Sequence, residues 1–130
     1  MVKDTADRER STDLGVVRIS NEAIMTIAAA AAMEINGVYK LGGGIGTTLC
    51  ETLFRKTRSK GVRIQAREGE FKLGVSIVVE YGSDIPRIAD GVQDSVKRAV
   101  EKMTGLVLSS VDVIVDGVHA KTAHEKERKL

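Results

Sequence analysis

The sequence predicts an α+β fold: a two-layer sandwich of a small mixed or antiparallel sheet, with two main helices on one face and a short extra helix. Three observations predict it. Residues 62–81 alternate apolar and polar side chains with the period of two expected of strands packed on one face. Farther on, Ile88, Ala89, Val92, Val96, Ala99, Val100 and Met103 recur at helical spacing, with Arg87, Asp90, Asp94, Lys97, Arg98 and Glu101 on the other side. Finally, a helix running into glycine and then an apolar strand occurs twice, in MEINGVYKL (Met33 to Leu41) and in EKMTGLVLSSVDVIV (Glu101 to Val115). This recurrence reads as reuse of a common helix stop more readily than as an internal duplication.

Residues 1–13 mix acids and bases with no apolar period and read as a flexible N-terminal arm. Gly15 to Ser20 reads as a first strand, after which Ser20 or Asn21 can cap a helix that carries Glu22 in its first turn. The body of that helix, AIMTIAAAAAM, is rich in the best helix former and carries no charge, so it is expected to be covered on more than one side. Asn36-Gly37 stops it, because glycine takes positive φ without a steric penalty. Val38 to Leu41 forms a short second strand, and Gly42 to Gly46 a glycine-rich turn. Thr47 or Thr48 opens the short extra helix, which runs to about Arg55.

Val62, Ile64 and Ala66 then share one face of a strand, and Phe71, Leu73, Val75, Ile77, Val79 and Tyr81 one face of the next, with Glu68-Gly69-Glu70 as the turn between them. Asp84 caps the second main helix, and Pro86 is tolerated in its first turn because the donor it lacks has no intrahelical partner there. Thr104-Gly105 ends that helix. Val107, Ser109, Val111, Val113 and Val115 are expected on one face of the last strand. The domain organisation is therefore an arm over 1–13, one α+β domain over 14–118 and a charged C-terminal tail over 119–130.

Composition narrows the class of function. A chain of 130 residues suits one domain, and 42% apolar with 29% charged residues is the make-up of a soluble globular protein. Its four aromatic residues, two Tyr and two Phe, leave the core to aliphatic side chains and provide few large anchors for an interface. Cys50 is the single cysteine, which excludes an intrachain disulfide and a cysteine metal cluster and suits a reducing, cytoplasmic setting. The charged opening VKDTADRERSTD does not read as a cleaved signal peptide. The longest uncharged run, Ala23 to Met33, has eleven residues and spans only about half a bilayer, so no transmembrane segment is expected.

No constellation in the sequence carries a reaction. Gly43, Gly44 and Gly46 with Thr47 stand before a helix, where backbone amides can meet an anion, yet the lysine of a phosphate-binding loop is missing and Thr47 occupies the third glycine of a dinucleotide fingerprint. The segment reads first as a connector that a partner can grip. After it come Arg55, Lys56, Arg58, Lys60, Arg63 and Arg67 with no acid between them, although the whole chain is only +2. These bases can meet protein, lipid headgroups or nucleic-acid phosphates. His119 and His124 lie five apart without a third ligand, Cys50 has no histidine nearby, and the Asp90/Asp94 and Asp112/Asp116 pairs sit in solvent-facing patterns. No catalytic residue, metal site or cofactor is assigned.

The order and spacing of several stretches resemble the alkaline shock protein family, envelope stress response proteins of mainly Gram-positive bacteria. These are Gly15-Val-Val-Arg-Ile-Ser-Asn-Glu-Ala-Ile24, Glu34-Ile-Asn-Gly-Val38, Lys60-Gly-Val-Arg-Ile64, Val78-Val-Glu-Tyr-Gly82, Val92-Gln-Asp-Ser-Val-Lys-Arg-Ala-Val100, Thr104-Gly-Leu-Val107 and Val111-Asp-Val-Ile-Val115. The resemblance implies a small cytoplasmic, non-enzymatic domain of envelope homeostasis. It further implies self-association into a homo-oligomer and peripheral recruitment to the inner face of the membrane by a membrane-anchored protein partner. A nucleic-acid-binding module using Gly43 to Gly46 and the bases of 55–67 is the alternative function.

Overall fold

A computed structural model describes residues 9–42 and 61–120. Its elements are β1 (Glu9–Thr12), β2 (Gly15–Arg18), α1 (Asn21–Met33), β3 (Val38–Leu41), β4 (Val62–Arg67), β5 (Glu70–Glu80), α2 (Ile85–Thr104) and β6 (Ser110–His119). The fold is the expected α+β arrangement, with a four-stranded mixed sheet and two main helices.

β5 is the spine of the sheet. Along one edge it pairs antiparallel with β4 through its first half (Val62↔Val75 to Arg67↔Glu70) and with β3 through its second (Val38↔Val79 to Leu41↔Ile77). Its other edge pairs along nearly its whole length with β6, which runs parallel because α2 carries the chain back across the layer. Phe71, Leu73, Val75, Ile77 and Val79 point to the helices and are each 3% exposed or less. Such burial stabilises by about 1.5–3 kcal/mol per large aliphatic side chain. α1 lies over β3 and β4, and α2 over β6.

The capping choice left open by the sequence falls to Ser20, whose Oγ accepts from the Ala23 amide at 3.1 Å. Ala28, Ala29, Ala31 and Ala32 are all buried, a wide arc that meets both the sheet and α2. The small side chains let the helices approach closely enough for Ser95 Oγ to donate to the Ala31 carbonyl at 3.1 Å. α2 is capped as expected, Asp84 Oδ1 accepting from the Arg87 amide and Gly105 taking φ 80° at the other end. Its buried stripe is Ile88, Val92, Val96 and Val100, whereas Met103 is exposed.

Four expectations change. Glu9–Thr12 belongs to a hairpin with Gly15–Arg18 and not to a flexible arm. Its order comes from ladder hydrogen bonds and a tight Asp13-Leu14 turn, where Thr12 Oγ1 accepts from the Leu14 amide at 3.1 Å, and neither leaves an apolar period in the sequence. The β4–β5 turn is Glu68-Gly69 alone, with φ of 51° and 83°, the positive values of a tight two-residue hairpin turn; Glu70 already pairs with Arg67. Before β6, the core residue is Leu108, 3% exposed, and not Val107, 79% exposed. Glu101 Oε2 accepts from the Leu108 amide and Lys97 Nζ donates to its carbonyl, which turns that residue inward before the strand alternation starts. Finally, His119 is the last residue of β6, paired with Glu80, so the strand extends one residue into the segment assigned to the tail. The short helix expected from Thr47 to Arg55 lies outside the described residues.

Candidate interaction surfaces

Gly42 and Gly61, the described residues that flank the glycine connector and the start of the basic run, meet at one point of the sheet. β3 and β4 share an edge of β5 and leave Ser76 between them. The Ser76 carbonyl accepts from the Gly42 amide at 2.8 Å, and the Ser76 amide donates to the Gly61 carbonyl at 2.7 Å. The chain therefore leaves the sheet after Gly42 and rejoins it at Gly61 side by side. A Cβ on Gly61 would stand 2.9 Å from Leu41 Cβ and 3.0 Å from the Gly42 carbonyl oxygen, and its φ is 94°. Gly43, Gly44, Gly46, Thr47, Arg55, Lys56, Arg58 and Lys60 lie outside the described residues.

Arg63 and Arg67, the remaining members of the basic run, are described. They sit on the sheet face away from the helices, because Val62, Ile64 and Ala66 take the core side of β4. Arg63 lies across Gly74, its paired residue on β5, with Nη2 3.6 Å from where a Cβ would be. Lys72, opposite Gln65, adds a third cation to the same face. β6 carries the opposite sign there: Asp112 pairs with Gly74, and Asp116 reaches over β5 toward Gly42, its carboxylate filling the space of a Gly42 side chain.

Between β6 and α2 runs an open cleft of about 470 Å³ lined by Asp90, Gln93, Asp94, Lys97 and Asp112. Gln93 Nε2 donates to the Val111 carbonyl at 2.9 Å, Asp94 is paired with Arg98, and Lys97 Nζ is bound to Glu101 at 2.9 Å. The hydrogen bond from Lys97, then that from the Leu108 amide, hold the Glu101 carboxyl below its ordinary value. The charges of Asp94, Arg98, Lys97 and Glu101 are therefore taken up by one another. Among the described residues no group of three or more His, Cys, Asp or Glu side chains is placed to hold a metal ion. None of the described helices is long and apolar enough to cross a membrane.

Two features escaped the sequence. The β1–β2 hairpin forms a separate two-stranded sheet, with Leu14 98%, Val16 60% and Val17 57% exposed. The adjacent valines in Gly15-Val-Val-Arg were the available signal, since a strand packed on one face alternates and this one does not. The second is a stack of Tyr39 on His119, with the His119 Nδ1 3.5 Å from Glu80 Oε1. It depends on bulges in two strands, for which the sequence carries no local sign.

The alkaline shock protein 23 family, described by a cell envelope-related function, matches residues 9–120. The chain is 33% identical over 112 residues to the uncharacterized protein YloU of Bacillus subtilis, an alignment covering 85% of this chain and 93% of that one. With YqhY of the same organism, also uncharacterized, it is 31% identical over 111 residues, or 85% and 82% of the two chains. A stress response regulator gls24 homolog of Streptococcus pyogenes is 25% identical over 128 residues, covering 98% of this chain and 72% of the relative. Among solved structures, a copper form of a MamM CTD variant aligns over 79% of this chain and 100% of its own, at 16% identity and a TM-score of 0.46.

Proposed function

The chain belongs to the alkaline shock protein 23 family, and from that premise we propose a non-enzymatic interaction scaffold of the envelope stress response. In this reading the domain self-associates and is recruited to the cytoplasmic face of the membrane by a membrane-anchored protein partner. The observation that carries it is the β1–β2 hairpin. A two-stranded ribbon has no core of its own, and here Leu14, Val16 and Val17 are turned to solvent. An apolar, self-paired projection of this kind gains stability by docking on another surface.

The test is recovery of the full chain with membranes and bound proteins from a mild lysate. The double variant Val16→Ser, Val17→Ser is expected to keep the wild-type unfolding temperature and to lose recovery with the membrane fraction. Charge reversal at Arg55, Lys56 and Arg58 separates the basic run from the hairpin in the same assay. Unchanged recovery for the hairpin variant would remove this reading.

A second reading, a nucleic-acid-binding module, is favoured by one observation: Arg63, Arg67 and Lys72 share a single sheet face. It requires RNA or DNA affinity that falls steeply with salt. No binding at low salt would exclude it.

A further inference from the structure

We propose that the sheet continues from one molecule to the next, the outer edge of β6 in one copy adding to the outer edge of β4 in another. This rests on the self-association reading above and names its interface. Among the described residues, β6 and β4 each pair on one side only, with β5, so the sheet ends on two edges whose backbone groups face outward. Such edges are templates for pairing unless blunted by lysine, proline, a bulge or shortness, and the bulge of β6 lies at Asp116, past its first six residues. β6 is ten residues long, SVDVIVDGVH, and carries neither lysine nor proline.

The two edges are of opposite charge. β6 carries Asp112 and Asp116 and contains no Lys or Arg; beside its first half α2 adds Asp90, while its Asp94 and Lys97 are paired with Arg98 and Glu101. β4 presents Arg63 and Arg67 and contains no acid. Direction also fits. β4 runs antiparallel to β5 and β6 parallel to it, so two copies set edge to edge with their helices on the same side bring β6 against β4 antiparallel.

One register satisfies both faces at once. With Asp112 opposite Arg67, Ile114 falls opposite Gln65, both pairs on the face away from the helices. On the helix face Val113 then meets Ala66 and Val115 meets Ile64, four side chains that are only half-buried in the single molecule. A slip by one residue would set arginines against valines and turn every match to the wrong face. Gln93 already occupies the Val111 carbonyl, which leaves Asp112 as the first residue of the stretch on offer. Because the two surfaces differ, the contact is head to tail and does not close on itself as a two-fold dimer would.

Sedimentation velocity of the full chain across a concentration series tests this. Wild-type mass should rise with concentration. Asp112→Arg and Arg67→Asp should each weaken association at least about tenfold, the effect of setting like charges opposite one another. An equimolar mixture of the two variants, and the double variant, should both recover association, since each restores opposite charges across the contact. Circular dichroism establishes that every variant is folded. Singles that associate like the wild type, or folded doubles and mixtures that stay monomeric, would overturn the interface while leaving self-association standing. A wild type that is monomeric throughout would sink both.

Discussion

The Tyr39 ring lies flat against the His119 imidazole, centroids 3.8 Å apart and planes 4° from parallel, although the two residues belong to strands on opposite sides of β5. Two irregularities bring them together. β3 carries one extra residue at Tyr39, between Val38↔Val79 and Lys40↔Val78, and β6 one extra at Asp116, between Val115↔Ile77 and Gly117↔Val78. Without the second, Val118 and not His119 would fall opposite Glu80.

Removing either ring should therefore be felt by the other. Tyr39→Ala and His119→Ala are each expected to lower stability, and a double-mutant cycle by urea unfolding should give a coupling of about 0.5–1.5 kcal/mol, the range for stacked aromatic pairs. A cycle that closes to zero would mean that the contact is incidental.

The Lys97–Glu101–Leu108 linkage predicts a dependence on pH. The Glu101 carboxyl is held below its ordinary value, first by the hydrogen bond from Lys97 and then by the Leu108 amide. A folded value below the unfolded one means that the contribution is fully present above the unfolded carboxylate pKa and is lost as pH falls through the folded value. Glu101→Gln should accordingly lower the urea midpoint at neutral pH, and the gap from wild type should narrow as pH falls below the ordinary carboxylate range. A gap independent of pH would count against the linkage.

Gly37 has two reasons to be glycine. Its φ is 101°, and a Cβ there would stand 2.4 Å from Ile88 Cδ1. Gly37→Ala is expected to cost about 1–3 kcal/mol in thermal or urea unfolding. Ile88→Val removes the clashing methyl but not the backbone strain. The double variant should consequently lose less than the sum of the singles and still fall short of wild type.

Gly42 and Gly61 should respond differently although they stand side by side. A side chain on Gly42 would meet the Asp116 carboxylate, which can swing away, and the Asp116 Cβ at 3.0 Å, a contact that a shift of a few tenths of an ångström relieves, and Gly42 has no positive φ. On Gly61 it would meet backbone and the Leu41 Cβ, with φ at 94°. Gly61→Ala is expected to lower the unfolding temperature clearly more than Gly42→Ala, and equal losses would show that the approach at Ser76 is looser than described.

The sequence by itself determined the caps of α2, the buried alanines of α1, the stripe of α2 through Val100 and the core faces of β4 and of β5 through Val79, although Tyr81, expected on that face, is 77% exposed. Each depends on side-chain chemistry within a few residues, where helical and strand periods are legible. The family resemblance was legible for the same reason, since it lies in those local patterns and their order. Only the tertiary structure decided that Glu9–Thr12 pairs with Gly15–Arg18, that β3 and β4 share one edge of β5, and that Gly42 and Gly61 meet at Ser76. Those facts rest on backbone hydrogen bonds between distant segments, which carry no side-chain signature. The surface charges show the same division: periodicity placed Arg63, Arg67, Asp112 and Asp116 on outward faces. The pairing of β4 and β6 with opposite sides of one central strand set those charges on opposite edges of the sheet.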